Sequence, residues 1–356
     1  MFDVFERWYK RKFSDPDALM LLLLILFTAL ILLFWGALLM PVIVAAVIAY
    51  LLDWLVTQCE RSGVKRTLSV SLVLSLFLTL CVLTLILLVP IVSKQGANLI
   101  REIPAIWGQA QVWLMTLPER YPGYIQYDAI ERMMLGVNAR AVGFGEEIIS
   151  LSFTSIGNFA ALLIYLILVP LMVFFMLKDK SELLTGASRF LPKERRLIRQ
   201  VGAEMNSQIA NYIRGKVIEI LIVGTSSIIT FLIFDLRYAI LLGVLVGLSV
   251  LIPYIGAAVV TIPVAAVALF QFGLSTPFWT VMIAYGVIQA LDGNLIVPIL
   301  FSEAVSLHPL YIIIAVLFFG GLWGFWGVFF AIPLATLVKA VMNAWSTPEE
   351  LMELRN

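Results

Sequence analysis

The tripeptide Asp292-Gly293-Asn294 places side chains capable of chemistry in the middle of an apolar stretch. Because apolar residues flank it on both sides, the sequence predicts Asp292 inside a membrane span or at its edge. A carboxylate at that depth costs about 2.5–3.5 kcal/mol on insertion scales and marks an ion or substrate path. With Asn294 nearby, and Gly293 loosening the helix, Asp292 could coordinate a cation or take up a proton. The structural alternative is an aspartate that caps a helix restarting at Asn294.

A second polar group follows between Pro298 and Pro309, where the chain carries Glu303 and His308. Histidine titrates near neutral pH, so these two residues could form a gate or a proton relay. An exposed loop with ordinary solvated side chains explains the same pattern.

Two further sites are candidates for a pathway. Pro253 and Gly256 could unwind a helix and present backbone carbonyls to a cargo, which is compatible with a tight turn between two hairpin arms. Arg214 and Glu219 lie where a span begins, and they could pair across a helical turn or reach a carboxylate in later segments. As residues at a membrane interface, they need no function at all.

The elements that carry these residues are predicted to be membrane helices. The stretch from Tyr238 to Leu291 contains no Asp, Glu, Lys, Arg or His, and 62% of the whole chain is hydrophobic. Helix breakers inside such a stretch are tolerated only where the freed backbone groups are buried in protein or face a cavity. The sequence therefore predicts an all-α polytopic integral membrane protein with about eight transmembrane helices, including broken or re-entrant helices in the C-terminal third.

The distribution of lysine and arginine orients these helices, because basic residues favour the cytosolic side. Three segments are predicted to be cytosolic, namely 1–17, the basic segment 178–216 and the tail 341–356. Transmembrane helices 1–3 are predicted within 18–92 (as 18–36, 39–56 and 67–92, with a turn at Gly36–Pro41), helix 4 at 151–177, and the C-terminal transport core at 217–340. Segment 93–150 is predicted to be extracytoplasmic and amphipathic. It either lies on the membrane or caps the core, or it forms a small subdomain packed on itself.

Several classes of protein are excluded. The net charge of +1 gives no reason to expect nucleic acid as a partner, and no phosphate-cradling Gly-rich motif, HExxH or Gly-x-Ser-x-Gly motif is present. The two cysteines lack metal-type spacing, and there is one histidine. We therefore expect no enzyme activity, no cofactor and no metal site. The expected partners are the lipid bilayer and a small-molecule or ion cargo, and spans one to four could support a homo-oligomer.

Four ordered motifs resemble the autoinducer-2 exporter (AI-2E) family, and the resemblance covers essentially the whole chain. They are similar to its Tyr-x-Arg-Gly signature, its Pro-x-hydrophobic-Gly turn, its paired Asn-x-x-x-Pro and His/Pro elements and its closing glycine-rich segment, here at 211–216, 252–256, 294–298 with 307–310, and 320–334. The resemblance implies an inner-membrane permease. Members of the family have been linked to export of a quorum-sensing signal and to sodium–proton exchange.

The expected function is thus an inner-membrane secondary transporter that exports a small molecule, with both termini cytosolic. One alternative is a sodium–proton-type cation exchanger, and another is a membrane scaffold or accessory subunit that transports nothing. The pathway candidates are Asp292, Asn294, Pro253, Gly256, Glu303, His308, Arg214 and Pro298.

Overall fold

The computed structural model describes residues 16–116, 118, 155–189, 196–301 and 307–345, and every regular element within these ranges is helical. The prediction of an all-α membrane protein is confirmed. In chain order the elements are α1 (Pro16–Arg61), α2 (Arg66–Met115), α3 (Ser155–Lys178), α4 (Lys180–Ser188), α5 (Arg196–Ile233), α6 (Ala239–Ser249), α7 (Ile255–Phe272), α8 (Thr276–Leu291), a π-helical turn (Asp292–Ile296), α9 (Val297–Phe301), α10 (Pro309–Phe329) and α11 (Ala331–Trp345).

Within the described part of the chain, 6 helices are long and apolar enough to cross a membrane. They are Leu38–Arg61, Arg66–Gln109, Leu197–Ile233, Ile255–Phe272, Thr276–Phe301 and Pro309–Phe329, with shorter apolar helices at Met20–Gly36, Tyr165–Lys178, Ala239–Ser249 and Ala331–Met342. The chain is therefore a multi-pass membrane protein in which full-length and short apolar helices are mixed.

Helix α1 continues through Gly36 and Pro41, where the sequence predicted a turn between two spans. That prediction is wrong. Proline removes one backbone hydrogen bond from a helix. However, apolar residues surround Pro41, and a helix is the conformation that pairs the remaining backbone groups in lipid. A break at Pro41 would therefore leave more backbone groups unpaired than the single hydrogen bond that the proline removes.

Helix α2 also continues past residue 92, where the sequence predicted its end. Both Pro90 and Pro104 lie inside it. Beyond Pro90 it reaches α6. The side-chain oxygen of Gln95 accepts a hydrogen bond from the Leu241 N–H at 2.9 Å, and Glu102 pairs with Arg237 at 3.2 Å. Residues 93–115 therefore contact α6 and the turn before it, and the predicted place of segment 93–150 outside the cytoplasm stays a prediction. Residues 119–150 of that segment lie outside the described ranges.

Helices α6 and α7 form a hairpin whose two ends lie side by side. The Gln271 side chain near the end of α7 accepts from the Arg237 N–H and donates to the Asp235 carbonyl, both at 2.7 Å. At its tip, residues 250–254 leave the α-helix, and Gly256 packs so tightly on the Ser249 carbonyl that a Cβ would overlap it. The hairpin thus enters and leaves the bundle on the same side as the end of α5.

Close glycine contacts hold this hairpin against α5. A Cβ built on Gly247 would lie 2.8 Å from the Cα of Gly224, and one built on Gly243 would overlap Ile228. Small residues four apart allow two helix backbones to approach closely, which is how helices associate in lipid. The buried core between α5, α6, α7 and α8 includes Val223, Phe231, Leu242, Val246, Val264, Val281 and Tyr285.

A second break lies within α10, where Gly324 has φ of 58° and ψ of −134°. A Cβ on Gly327 would overlap the Phe319 carbonyl, so the chain folds back on itself at Gly324. The sequence predicted an interruption between Gly320 and Gly327, and the structure confirms it. The predicted breaks in the C-terminal third are thus present at both 250–254 and Gly324.

Candidate functional site

A cavity of about 320 Å³ lies where the broken elements meet. Helix α5, the hairpin tip, the π-helical turn and helices α9, α10 and α11 all contribute to its wall. The polar residues on that wall are Tyr212, Lys216, Glu219, Tyr254, Gln289 and Asp292. Lys216 precedes the end of α5 by about 25 Å, so the cavity lies deep relative to the α5–α6 turn.

An ion pair between Lys216 and Glu219 is the most buried polar contact at this cavity. The Lys216 ammonium nitrogen lies 2.7 Å from a Glu219 carboxylate oxygen, and the two residues are only 4% and 2% exposed. Their spacing of three residues places both on one face of α5. Since a buried charge is costly without a partner, each residue offsets part of the cost of burying the other.

Lys216 also contacts two other elements of the site. Its ammonium donates a hydrogen bond to the Val250 carbonyl at 2.8 Å, just after the end of α6. It also lies 5.2 Å from the centroid of the Phe301 ring, at the end of α9. Gly215 makes the ring contact feasible, because a Cβ there would lie 2.6 Å from the ring. The ammonium is thus the common contact of α5, the hairpin tip and α9.

Tyr212 fixes the opposite wall. Its hydroxyl donates to the Phe329 carbonyl at 2.8 Å, in the segment that follows the Gly324 break. Because Tyr212 is buried and packs on Phe301 as well, it ties α5 to both α9 and α10. The tyrosine, glycine and lysine of the 211–216 motif therefore all build this one site.

Asp292 begins the π-helical turn and faces the same cavity. It is 9% exposed, and its Oδ1 has no hydrogen-bond partner among the described residues. The π-turn inserts an extra residue into the helix, and such turns occur frequently at functional sites. Asp292 attracts Lys216 and repels Glu219 across the site. With all three ionised, their charges sum to −1, and the oxygen of Asp292 is an open acceptor.

The structure places two other predicted candidates beside Asp292 in the cavity region. Pro253 lines the cavity at the hairpin tip, and Gly256 allows the tip to close against Ser249. Asn294 and Pro298, by contrast, are exposed and do not line the cavity. The Asn294 amide instead donates to the Ala290 carbonyl at 2.8 Å.

The remaining candidates lie elsewhere or outside the described ranges. Arg214 donates to the Ala210 carbonyl and to Asn211 within its own helix. The predicted pairing of Arg214 with Glu219 is wrong, because residues five apart do not share a helix face and Lys216 takes that position. His308 is exposed and caps α10 by accepting from the Leu310 N–H at 3.2 Å. Glu303 lies outside the described residues.

Sequence reasoning missed Lys216 as a site residue. It grouped this lysine with the basic residues of segment 178–216 and treated it as part of a cytosolic surface. The signal that could have found it is the i,i+3 spacing of Lys216 and Glu219 where the apolar part of α5 begins, since opposite charges at that spacing share a helix face.

The sequence model of the AI-2E family transporter matches this chain over residues 21–347. The chain belongs to the AI-2E transporter family. As an AI-2E protein it is 50% identical to the Escherichia coli (strain K12) protein PerM, named as a permease, over 345 residues that cover 97% of this chain and 98% of that one.

More distant AI-2E relatives also carry the names of transport proteins. The Bacillus subtilis (strain 168) protein YueF is 26% identical over 316 residues, which cover 85% of this chain and 83% of YueF. The Escherichia coli (strain K12) AI-2 transport protein TqsA is 23% identical over 306 residues, covering 86% of each chain. These names describe permeases and transporters, not enzymes.

Proposed function

We propose that this protein is a secondary transporter of the bacterial inner membrane that exports a small molecule, and that the cavity around Asp292 is its cargo or coupling-ion site. The observation that carries the proposal is the Asp292 oxygen Oδ1, which has no hydrogen-bond partner in the described part of the chain, in a residue that is nine-tenths buried and lines a cavity between broken helices. An ionisable residue at membrane depth belongs to an ion or substrate path by default.

The form of the surrounding helices supports the same proposal. Secondary transporters bind cargo and coupling ions near discontinuous helices, where backbone carbonyls are freed from the helix. Here the hairpin tip at 250–254 and the π-turn at 292–296 both line the cavity, and the segment that follows the break at Gly324 is tied to it by the hydrogen bond from Tyr212 to Phe329. A scaffold without transport activity has no need for such breaks beside a buried carboxylate.

The relatives and the charge of the cavity each support one class of cargo. The name of TqsA assigns AI-2 to that protein, which makes this quorum-sensing signal the first cargo to test here. The second candidate function is cation exchange, which the net negative charge of Lys216, Glu219 and Asp292 favours.

Replacement of Asp292 by Asn tests the proposal, because it keeps the shape and removes the charge. Efflux of AI-2 from cells and cation-dependent proton movement in proteoliposomes are measured for wild type and for Asp292→Asn. We expect the variant to insert and purify normally but to lose the coupled activity. Asp235→Asn is the matched control, because Asp235 is exposed at the α5–α6 turn and remote from the cavity. Normal activity and normal ion dependence in Asp292→Asn would contradict the proposal.

A further inference from the structure

Three observations meet at the Lys216 ammonium. It contacts the Glu219 carboxylate, it satisfies the Val250 carbonyl, and it shares the cavity with Asp292, whose Oδ1 has no hydrogen-bond partner in the described part of the chain. Two carboxylates therefore face a single ammonium. In the structure the ammonium pairs with Glu219, and the Asp292 oxygen Oδ1 has no partner among the described residues.

We propose that Lys216 is a positioning residue that exchanges between Glu219 and Asp292, and that this exchange loosens or fixes the hairpin tip at 250–254. The inference rests on the proposed function of the cavity, and it adds the element that responds when Asp292 gains or loses its ligand. That ligand is a proton or a monovalent cation, since either neutralises one carboxylate.

The exchange follows from the charges. When a proton or cation occupies Asp292, Glu219 is the remaining buried carboxylate, and Lys216 stays with it as observed. When Asp292 is empty and ionised, it attracts Lys216, because an unpaired carboxylate at membrane depth is costly and the ammonium shares its cavity. The ammonium then moves away from Glu219 and Val250. The ligand at Asp292 thus decides which contact Lys216 makes.

The hairpin tip is the element that senses this movement. Val250 directly follows α6, and its carbonyl loses the Lys216 contact when the ammonium moves. Tyr254, at the far end of the tip, has φ of 61° and ψ of −48°, a backbone conformation that non-glycine residues rarely adopt. Such strain persists only while surrounding contacts hold it in place. Loss of the Val250 contact therefore favours rearrangement of the tip.

The groups that could titrate beside Lys216 are few among the described residues. Helix α5 contributes Glu219 and Tyr212, the π-turn contributes Asp292, and the hairpin tip contributes Tyr254. The hydroxyl of Tyr212 is committed to Phe329. Because Glu219 already contacts Lys216, Asp292 is the group whose ionisation is expected to drive the exchange.

Amide hydrogen exchange of the full-length protein in lipid nanodiscs tests the inference without any cargo, and the proton is the probe. In the structure the amides of Leu251, Ile252 and Gly256 donate to Leu248, Ser249 and Ile252. After correction for the intrinsic exchange rate, we expect their protection to fall as the pH rises. The expected change is about 5- to 150-fold, the usual range of coupling between two sites.

Two variants make the result specific. Asp292→Asn leaves Glu219 as the one carboxylate among the described residues that faces Lys216, so the tip is expected to stay protected at all pH values. Glu219→Gln leaves Asp292 in that place, so the tip is expected to stay unprotected. Helix α2, which does not line the cavity, provides an internal control for folding in both variants. A general destabilisation would instead lower protection in α2 as well.

Two outcomes would overturn the inference: tip protection in the wild type that does not depend on pH, or the same pH dependence in Asp292→Asn as in the wild type. These results are distinct from a failure of the proposed function. If the tip responds as expected but Asp292→Asn still transports normally, the transport proposal fails and the exchange of Lys216 stands.

Discussion

The ammonium nitrogen of Lys216 lies 2.7 Å from a carboxylate oxygen of Glu219, and both residues are almost completely buried. Burial makes this pair different from the exposed ion pairs of the same protein. An exposed pair exchanges its partner for water at little cost, whereas a buried charge that loses its partner is strongly destabilising. The pair therefore makes a strong prediction about stability.

Removal of the Lys216 charge alone is expected to destabilise the protein severely. Lys216→Met leaves Glu219 as an uncompensated buried carboxylate, whereas Glu219→Gln leaves the ammonium with Asp292 as its carboxylate partner. Breaking a buried pair costs about 3–5 kcal/mol when the remaining charge has no new partner. Lys216→Met should therefore lower the melting temperature in detergent more than Glu219→Gln does.

The double variant Lys216→Met/Glu219→Gln supplies the decisive comparison. It removes both charges together, so it should recover much of the melting temperature lost in Lys216→Met. Lys180→Met is the matched control at the exposed pair with Asp53, where we expect a loss of about 1 kcal/mol or less. Equal losses in Lys216→Met and Lys180→Met would argue against a buried pair.

Much of the fold could be predicted from the sequence because the bilayer restricts the choices. An apolar stretch without charges must form helices there, and breakers must lie in protein-lined sites. The breaks at 250–254 and Gly324 follow from this rule. The continuous helix through Gly36 and Pro41 does not follow from it, because proline in a long apolar helix can be tolerated or can end the helix. Which one occurs depends on contacts that a single sequence does not contain.

The site was predictable in part for a similar reason. Asp292 stood out because a lone carboxylate at membrane depth has few structural explanations. Arg214 and Lys216 are both basic and only two residues apart, so composition alone could not choose between them. The two side chains leave α5 on different faces, and this difference decides which one belongs to the site. Lys216 points to the hairpin tip, whereas Arg214 donates a hydrogen bond within its own helix. Packing partners distant in sequence, such as Val250, determine that outcome.

Substitution of Gly247 should weaken the contact between α5 and α6. A side chain there would meet Gly224 and the Ile220 carbonyl, both at backbone positions that cannot move aside. Gly247→Leu is expected to cost about 1–3 kcal/mol, as overpacking usually does, and to lower the melting temperature accordingly. Gly286→Leu is the control, because nothing lies within 4 Å of a Cβ at that position of α8. Similar melting temperatures for the two variants would contradict the close packing.

Gly324 should not tolerate alanine. Its φ of 58° with ψ of −134° permits the reversal of the chain within α10, and a residue with a Cβ in such a sparsely populated region costs on the order of 1–3 kcal/mol. Gly324→Ala is therefore expected to lower the melting temperature. Gly321→Ala should leave it unchanged or raise it slightly, because Gly321 has open space around it and alanine favours a helix. The opposite order of the two melting temperatures would mean that the chain does not reverse at Gly324.

Membrane orientation can be tested with two exposed positions on opposite sides of the predicted topology. Met115 is 52% exposed at the end of α2, and Leu183 is 51% exposed in α4, which follows the basic end of α3. The positive-inside rule assigns Leu183 to the cytosol and Met115 to the outside. In a background with Cys59 and Cys81 replaced by serine, a membrane-impermeant thiol reagent applied to cells with a permeable outer membrane should label Met115→Cys. It should label Leu183→Cys only after the inner membrane is opened. Because the two positions are equally exposed, a difference in labelling reports the side of the membrane and not burial. Labelling in the reverse order would invert the proposed topology, and with it the direction from which cargo reaches Asp292.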